Sequence, residues 1–480
     1  MNWYSNYRIS NFTIVNCSDM KILKLLPILL GSLMLFANTL IDPKLIYKSD
    51  PLILTDTTLT DALGSFTVDD LPIMNPKCQI ILRENATPLS KKMWKIALND
   101  IEKNEVTNLY GSYFAAGRRY TDRVYTRDIA FAGILGLNVI FPKEMLQSLK
   151  VTRDVIALQG YKVSSNHVVK EINAPWEIIT NEEPQVMAKY KTNSITRRTD
   201  DVVWIWAVDN LFSAHPEIAD WQWFYTNGKE NFKTNYDPWF DKTDGLFRAQ
   251  SAFQDLTSSA YPKGMTISDC VLLKGTSTNC IYYKAMLSLA NAARKCNLPD
   301  ESKYWNERAE SLKKAIRKEL ILPDGTLTYY KDRYGVVMKN QHNLGTAFAV
   351  LFGIVKGKEA KKAIDNYPTT DKGVPLIFPF LENNKGDHNN ASWPFCDTYF
   401  LQAKELVDGK DYTGYNAALL ARTMGTKLSV KRESEWGGFG SFHEKVELPG
   451  GLISGSGQQL WTSAAFINVC LRANLVDFKK

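Results

Sequence analysis

The sequence lacks most of the patterns by which metal-binding, nucleic-acid-binding and fibrous proteins are recognised. Its seven cysteines are scattered without a CxxC pair and its five histidines are dispersed, so no metal site is indicated. No Lys/Arg block is dense enough for a nucleic-acid arm, although the formal net charge is +7. Heptads, exact repeats and low-complexity tracts are also absent. These absences leave an ordinary globular composition.

A long membrane-spanning run is missing as well, and a shorter apolar run takes its place. Lys21 and Lys24 precede the run Leu25–Phe36, which is too short to cross a bilayer and has the length of a signal-peptide core. Ala37 fits a cleavage point, and Met20 is a candidate for the true start. We therefore predict a signal peptide over 1–37, no stable span in the mature chain, and a periplasmic or secreted protein.

Export permits disulfides, and two interpretations of the cysteines stay open. Cys270 and Cys280 are a conceivable pair. Buried free thiols are the alternative, since Cys296, Cys396 and Cys470 lie in helix-like patterns.

Aromatic residues are abundant, with 12 Trp, 22 Tyr and 22 Phe. Aromatic faces stack on the apolar faces of sugars, so this content agrees with a carbohydrate ligand. A large helical core with Trp and Tyr at helix contacts explains it equally well.

Hydrophobic periodicity predicts a helical protein with a short N-terminal arm. Residues 38–88 have short β-type runs between Asp, Pro and Gly and are predicted to wrap the main domain, 89–480. Helical spacing begins at about Ser90 and recurs at 128–140, 144–158, 201–214, 277–297, 300–320, 343–355, 358–365, 390–407, 411–425 and 457–473. About a dozen helices in consecutive hairpins predict a closed double ring of helices, with an open helical solenoid as the alternative.

Two acidic motifs far apart in the chain suit a site that cleaves glycosidic bonds. The first places Asp255 after Phe253 and before Leu256, and the second places Glu444 after His443. Glycoside hydrolysis needs one carboxyl group to protonate the leaving oxygen and another to activate water or attack the sugar. The alternative for Asp255 is a cap on the following helical turn.

The choice of the second acid stays open along the sequence. Glu447 is the main rival of Glu444, and Glu435 and Glu433 are further ones.

Further polar residues lie where helices are predicted to begin. Tyr125, Arg127 and Asp128 open one apolar helix, where the carboxylate and guanidinium could bind vicinal hydroxyls, with capping of the helix by Asp128 as the alternative. Asp200 opens another as a candidate substrate-binding residue, and helix capping is the plainer explanation there. The Asp244-Gly245 turn is predicted to bring a strand to the rim, where Arg248 is a further candidate substrate-binding residue.

The segment His388-Asn389-Asn390-Ala391-Ser392-Trp393 is a compact cluster of sugar-binding residue types. His and Asn side chains can bind hydroxyl groups, and Trp393 can stack on a ring. No second His lies nearby, which argues against a metal.

Taken in order, these motifs resemble the six-hairpin glycosidases. Tyr125-Thr126-Arg127-Asp128 resembles the Trp-Thr-Arg-Asp signature of glucoamylases. The segment beginning at His388 is similar to the His-Asn-Gly-Ala-Val-Trp-Pro loop of trehalase-like, debranching and rhamnosidase-like members. Phe442-His443-Glu444, with Leu460-Trp461 following, resembles the base segment and last helix of glucoamylases. The resemblance covers roughly residues 90–475.

The resemblance implies an all-α (α/α)6 toroid and an inverting hydrolase without a cofactor. Asp255 would be the general acid and Glu444 the general base. Arg127 and Asp128 would hold the sugar at the closed end of the site. The sugar site would also be lined by His388, Asn389 and Trp393, with Trp461 on the last helix. We therefore expect an exported, exo-acting enzyme that acts on an oligosaccharide or glycan and not on nucleic acid.

Other classes fit parts of the same pattern. A glycoside phosphorylase would replace the base carboxylate with a phosphate site, and a Gly-rich loop follows Glu444. A glycan-binding protein would need the aromatics but not two opposed acids. Lyases and epimerases on similar toroids usually rely on Tyr or His as the base.

Overall fold

The computed structural model describes residues 52–108, 111–120, 125–158, 199–254, 257–382, 384, 387–425 and 438–478. All of them belong to the compact unit Ser49–Lys480, and Met1–Lys48 is a separate unit outside this description. The predicted signal peptide, 1–37, therefore lies outside the described residues. Its boundary with the arm, and the boundary at 88/89, remain predictions.

Helices dominate the described part of the chain, as the periodicity predicts. The helices of seven or more residues are α1 Pro88–Lys103, α2 Thr126–Ala132, α3 Pro142–Leu158, α4 Asp200–Ala214, α5 Trp221–Asn231, α6 Thr276–Lys295, α7 Pro299–Glu319, α8 Asn343–Leu351, α9 Gly357–Asp365, α10 Pro394–Asp408, α11 Thr413–Thr423 and α12 Leu460–Arg472. Shorter helical turns lie at Arg118–Tyr120, Gly133–Leu137, Asn138–Ile140, Pro216–Ile218, Phe232–Tyr236, Asp237–Trp239, Thr257–Ala260 and Ile267–Leu272. Of the long helices, α5 is the one that the periodicity misses.

The strands are short and lie in small antiparallel sheets. They are β1 Ile53–Leu54, β2 Thr58–Asp61, β3 Gly64–Thr67, β4 Ile81–Leu82, β5 Glu105–Asn108, β6 Gly111–Phe114, β7 Phe240–Asp241, β8 Leu246–Phe247, β9 Lys274–Gly275, β10 Tyr330–Lys331, β11 Val337–Met338, β12 Gln341–His342, β13 Ile377–Phe378, β14 Ala391–Ser392, β15 Lys445–Glu447, β16 Ile453–Ser454 and β17 Val476–Asp477. The sheets follow the orders β1-β2-β3, β11-β10-β9, β14-β15-β16, β12-β13, β17-β4, β5-β6 and β7-β8.

The even-numbered helices contact one another in a closed sequence. Each packs against the next even-numbered helix, from α2 to α12, and α12 packs against α2. The odd-numbered helices lie against this set: α1 on α12, α3 on α2 and α4, α5 on α4 and α6, α7 on α6, α9 on α8 and α10, and α11 on α10 and α12.

Residue composition explains the two kinds of helix. All residues of α2 are buried, and α8 is buried from Asn343 to Val350, as expected for helices with neighbours on every side. In contrast, α7 buries Trp305, Ala309, Leu312 and Ile316 at helical spacing and carries Lys and Glu on its other face. Such an amphipathic helix packs on a core with one face only.

The arm is tied to the main body at both ends of the described segment. Asp61 of β2 forms a buried ion pair with Arg422 of α11, with Oδ2 and Nε 2.5 Å apart. Farther along, β4 pairs with β17, the last strand.

The described cysteines carry free thiols, including both Cys270 and Cys280. The disulfide considered for this pair is therefore wrong, and the alternative of free thiols holds. Among the described helices, none has the length and apolarity needed to cross a bilayer.

Candidate active site

The polar residues singled out by the sequence lie where the even-numbered helices begin. Arg127 and Asp128 are buried in the first turn of α2, and Tyr125 is its N-cap. Asp200 is the first residue of α4, Trp393 directly precedes α10, and Trp461 is the second residue of α12.

Side-chain contacts join several of these helix starts. Nη1 of Arg127 lies 3.5 Å from Oδ1 of Asp200, and the two side chains are 4% and 0% exposed. The Arg127 guanidinium also lies over the Phe253 ring, 5.9 Å from its centroid. Arg127 therefore connects the starts of α2 and α4 with the segment that leads to Asp255.

Phe253 lies at the centre of an aromatic cluster, which comprises Phe253, His388, Trp393, Phe395 and Trp461. The ring of Phe253 lies 4.8 Å from His388, 4.4 Å from Trp393, 5.3 Å from Phe395 and 5.5 Å from Trp461. Trp461 in turn stacks on Phe395 at 4.1 Å. The cluster brings Trp461, predicted on the last helix, together with His388 and Trp393, which the sequence predicts in one segment.

The two residues before Asp255, Phe253 and Gln254, have a distinctive backbone conformation and side-chain contacts. Phe253 has φ 69°, an uncommon value for a residue with a side chain. Next to it, Gln254 donates from Nε2 to the backbone oxygen of His388 at 3.1 Å, and its Oε1 lies 3.1 Å from His388 Nδ1. Asp255 itself lies outside the described residues. Gln254 is a residue that sequence reasoning missed, because a lone Gln beside an acid carries no distinctive pattern.

Glu444 lies in a second, hydrogen-bonded part of the site. Its side chain is 7% exposed, and its Oε2 accepts a hydrogen bond from the Ser456 backbone N–H at 3.0 Å. The Tyr120 hydroxyl lies 3.5 Å from Oε1, the limit of a hydrogen bond. The Tyr120 ring also lies 5.4 Å from that of Tyr125. Tyr120 was missed because it sits in a single helical turn without periodicity.

Burial raises the pKa of Glu444, because loss of hydration disfavours the carboxylate. Three nearby groups oppose this effect, in the order Lys445, the Ser456 N–H and Arg119, while Asp387 adds to it. The pKa of Tyr120 is likewise raised, first by burial and then by the charge of Glu444, with a smaller effect from Asp128. The negative charges of Glu444 and Asp128 therefore both act on the Tyr120 hydroxyl.

Lys445 links Glu444 with the aromatic cluster. Its Nζ forms an ion pair with Asp387 and lies 5.8 Å from the centroid of the Trp393 ring. The segment after Glu444 and the loop that carries His388 also pair, as strands β15 and β14.

Two predicted binding residues have other partners. The Asn389 amide accepts from Leu381 N and donates to the Leu381 and Asn384 backbone oxygens, so its groups hold the loop together. Arg248 donates to Asp241 at 2.5 Å, in an ion-pair group with Lys274 and Asp244. Asn389 therefore holds its own loop and Arg248 belongs to this ion-pair group, and the binding of sugar hydroxyls by either residue remains a prediction.

The rivals of Glu444 differ in position. Glu447 ends β15 and is only half-buried, whereas Glu444 is buried. Glu433 and Glu435 lie outside the described residues.

Within the described residues, no group of three or more His, Cys, Asp or Glu side chains is arranged to hold a metal.

The family model of the bacterial alpha-L-rhamnosidase six-hairpin glycosidase domain matches residues 274–371, from β9 to the segment after α9. No curated protein matches the sequence. Solved structures of similar fold include a GH78 rhamnosidase of a Bacillus species, at TM-score 0.56 and 13% identity, covering 86% of this chain and 36% of that one.

Two further structures extend the likeness. A sialidase has TM-score 0.54 and 14% identity, over 79% of this chain and 33% of that one. A GH63 mannosylglycerate hydrolase from Thermus thermophilus has TM-score 0.52 and 14% identity, over 78% of this chain and 98% of that one. The chain spans about a third of the length of the first two relatives.

These likenesses confirm the predicted resemblance to six-hairpin glycosidases and the predicted relationship to glycoside hydrolases. At such low identities, the structural likeness establishes the fold and not the substrate.

Proposed function

We propose that this chain is an inverting glycoside hydrolase whose helices form an (α/α)6 toroid. The closed contact sequence of α2, α4, α6, α8, α10 and α12 supports an inner ring, and the odd-numbered helices would form the outer ring. In an open solenoid the helices at opposite ends do not touch, whereas here α12 packs against α2. The site would occupy the end of the toroid where the inner helices begin.

One observation carries the proposal: Glu444 is a buried carboxylate, and the next residue, Lys445, contacts Trp393 of the aromatic cluster, which also holds Phe253, two residues before Asp255. Burial raises the pKa of Glu444, and Lys445, the Ser456 N–H and Arg119 oppose this effect by stabilising the ionised form that a general base needs. Phe253 would give Asp255 an apolar neighbour, which favours the protonated form that a general acid needs. Unlike surroundings of this kind let two carboxyl groups take opposite roles.

The other members of the site would bind the sugar. Arg127, Asp128 and Asp200 offer charged hydrogen-bonding groups, and Trp393 and Trp461 offer ring faces. Burial and the contact with Ser456 favour Glu444 over Glu447 as the base. The substrate would be an oligosaccharide or glycan, cleaved by exo action.

The deciding experiment is a screen of the purified protein against α- and β-linked oligosaccharides, with the product anomer followed by NMR. Inverted product supports the proposal, and retained product contradicts the inverting mechanism. Turnover that requires inorganic phosphate would indicate a phosphorylase, and binding without turnover across the panel would indicate a glycan-binding protein.

Export is part of the proposal and rests on the apolar run Leu25–Phe36 behind Lys21 and Lys24. The mature protein would be periplasmic or secreted and would begin near residue 38. N-terminal sequencing of the protein recovered outside the cytoplasm checks this, and a chain that retains Leu25–Phe36 there contradicts it.

Opposite charges near Glu444 predict opposite shifts of the pH–rate profile. In Lys445→Gln, the loss of a positive charge raises the pKa of Glu444 further, so the acid limb of kcat/KM should move to higher pH. In Asp387→Asn, the loss of a negative charge should move the same limb to lower pH. The measurement is kcat/KM against pH for both variants. Movement of the alkaline limb instead would make Glu444 the acid.

Gly455 lacks a side chain, and the side chain of Glu444 lies in the space that one would fill. A methyl group there would lie 2.6 Å from Cβ of Glu444 and closer still to Oε2, and the backbone has φ +84°. We expect Gly455→Ala to lower kcat by about 10- to 100-fold through displacement of the carboxylate.

Gly450→Ala is the matched control, because nothing lies within 4 Å of its added methyl group. Its kcat should stay within about twofold of the parent, as for most surface substitutions. Both variants are assayed well below their Tm. Equal kcat in the two variants would contradict the role given to Gly455.

A further inference from the structure

The segment that carries Glu444, Ser441–Gln459, closes on itself through its backbone. The Glu444 N–H donates to the Ser456 oxygen at 3.0 Å, and the Gln459 N–H donates to the Phe442 oxygen at 2.9 Å. These two backbone hydrogen bonds form a short ladder, and the carboxylate of Glu444 accepts a third hydrogen bond from the Ser456 N–H beside it. The position of Glu444 therefore depends on where this ladder is held.

Helix α1 contacts both sides of the ladder. Oδ2 of Asp100 accepts from the Phe442 N–H at 3.0 Å, and Nδ2 of Asn104 donates to the Gln458 oxygen at 2.6 Å. Asn104 is the C-cap of α1 and lies one helical turn after Asp100, so the two side chains are neighbours. They are 0% and 1% exposed.

A buried acid is a costly way to pack a helix. Burial raises the pKa of Asp100 to about 7, and the Phe442 N–H and Lys103 offset this only in part. An apolar side chain would cover the same surface without that cost. What it could not supply is the acceptor for the Phe442 N–H, two residues before Glu444.

We propose that Asp100 and Asn104 form a clamp on α1 that positions Glu444 for its reaction. Both are positioning residues, because they act on Glu444 through the backbone of Phe442 and Gln458. The clamp rests on the proposed function, in which Glu444 is the general base.

The first test compares kinetic constants. Asp100→Ala removes the acceptor and should lower kcat by about 10-fold or more while KM changes by less than about twofold, because the sugar-binding residues keep their places. Asp100→Asn keeps an oxygen acceptor and should retain kcat within about threefold. Asn104→Ala removes only the second contact and should give a smaller loss of kcat.

Trp94→Phe is the control on the same helix. The Trp94 indole donates to the Ile80 oxygen at 2.8 Å, which ties α1 to the arm and not to the ladder. Its kcat should match the parent even where Tm falls. Loss of kcat in proportion to Tm in both Trp94→Phe and Asp100→Ala, or no loss in Asp100→Ala, would overturn the clamp.

Amide hydrogen exchange supplies a readout that needs no turnover. Asp100→Ala should speed exchange at Phe442, Glu444 and Gln459 by about tenfold or more, while Trp94→Phe leaves these amides unchanged. Should Asp100→Ala not fold, Asn104→Ala is measured in the same way. Unchanged exchange in the clamp variants overturns the clamp. A parent protein that hydrolyses no glycan overturns the proposed function instead.

Discussion

Glu444→Gln is expected to lower kcat for glycoside hydrolysis by about 10²- to 10⁴-fold, the range by which a general base contributes. The amide has nearly the same shape and can still accept from the Ser456 N–H, but it cannot take a proton from water. Substrate affinity should change little, because Arg127, Trp393 and Trp461 are untouched. The measurement is kcat and KM on the oligosaccharide found in the screen, with Tm as a check of folding.

Glu447→Gln is the matched control, with the same chemical change three residues away. The half-buried position of Glu447 predicts that this variant keeps kcat within about threefold. If Glu447→Gln loses activity and Glu444→Gln keeps it, the assignment of the base is wrong.

Asp255→Asn is expected to abolish hydrolysis of unactivated oligosaccharides by a comparable factor, about 10²- to 10⁴-fold. The general acid is needed only where the leaving oxygen must be protonated. A dinitrophenyl glycoside of the same sugar leaves without a proton, so Asp255→Asn should cleave it at a rate near that of the parent. Glu444→Gln should be slow on both substrates, which separates the two roles.

Asp269→Asn serves as the control for Asp255. Asp269 belongs to the capping box of the short helix Ile267–Leu272, a task that an Asn can largely perform. It should retain full activity on both substrates. An Asp255→Asn variant as active as Asp269→Asn on unactivated oligosaccharides would remove Asp255 from the mechanism.

Helix positions were readily predicted from the sequence because each even-numbered helix has a polar start and a long apolar run. Asp200 at the start of α4 and Asn343 at the start of α8 are examples. In contrast, α5 escaped prediction because its sequence mixes aromatic, polar and glycine residues without a clear apolar stripe. Most strands contain only two residues, which is too few for alternation to be visible.

The site was predictable only in part, for physical reasons. Residue types and the family resemblance predict His388, Trp393 and Trp461 as sugar-binding residues, and the structure brings all three into contact with Phe253, while their binding roles remain predictions. Residue type could not tell that the groups of Asn389 are used by its own loop, because local hydrogen bonds depend on backbone geometry. Similarly, Asp100 and Phe442 are 342 positions apart, and no local pattern joins them.

The contact between α12 and α2 has a consequence for how the protein matures. Because α12 completes the packing around α2 and also brings Trp461, a nascent chain that does not yet contain α12 has neither a finished core nor a whole site. The pairing of β17 with β4 joins two further segments that lie far apart in the sequence. The proposed activity therefore cannot precede the synthesis of α12, and a chain that ends before Leu460 leaves the apolar face of α2 open to aggregation.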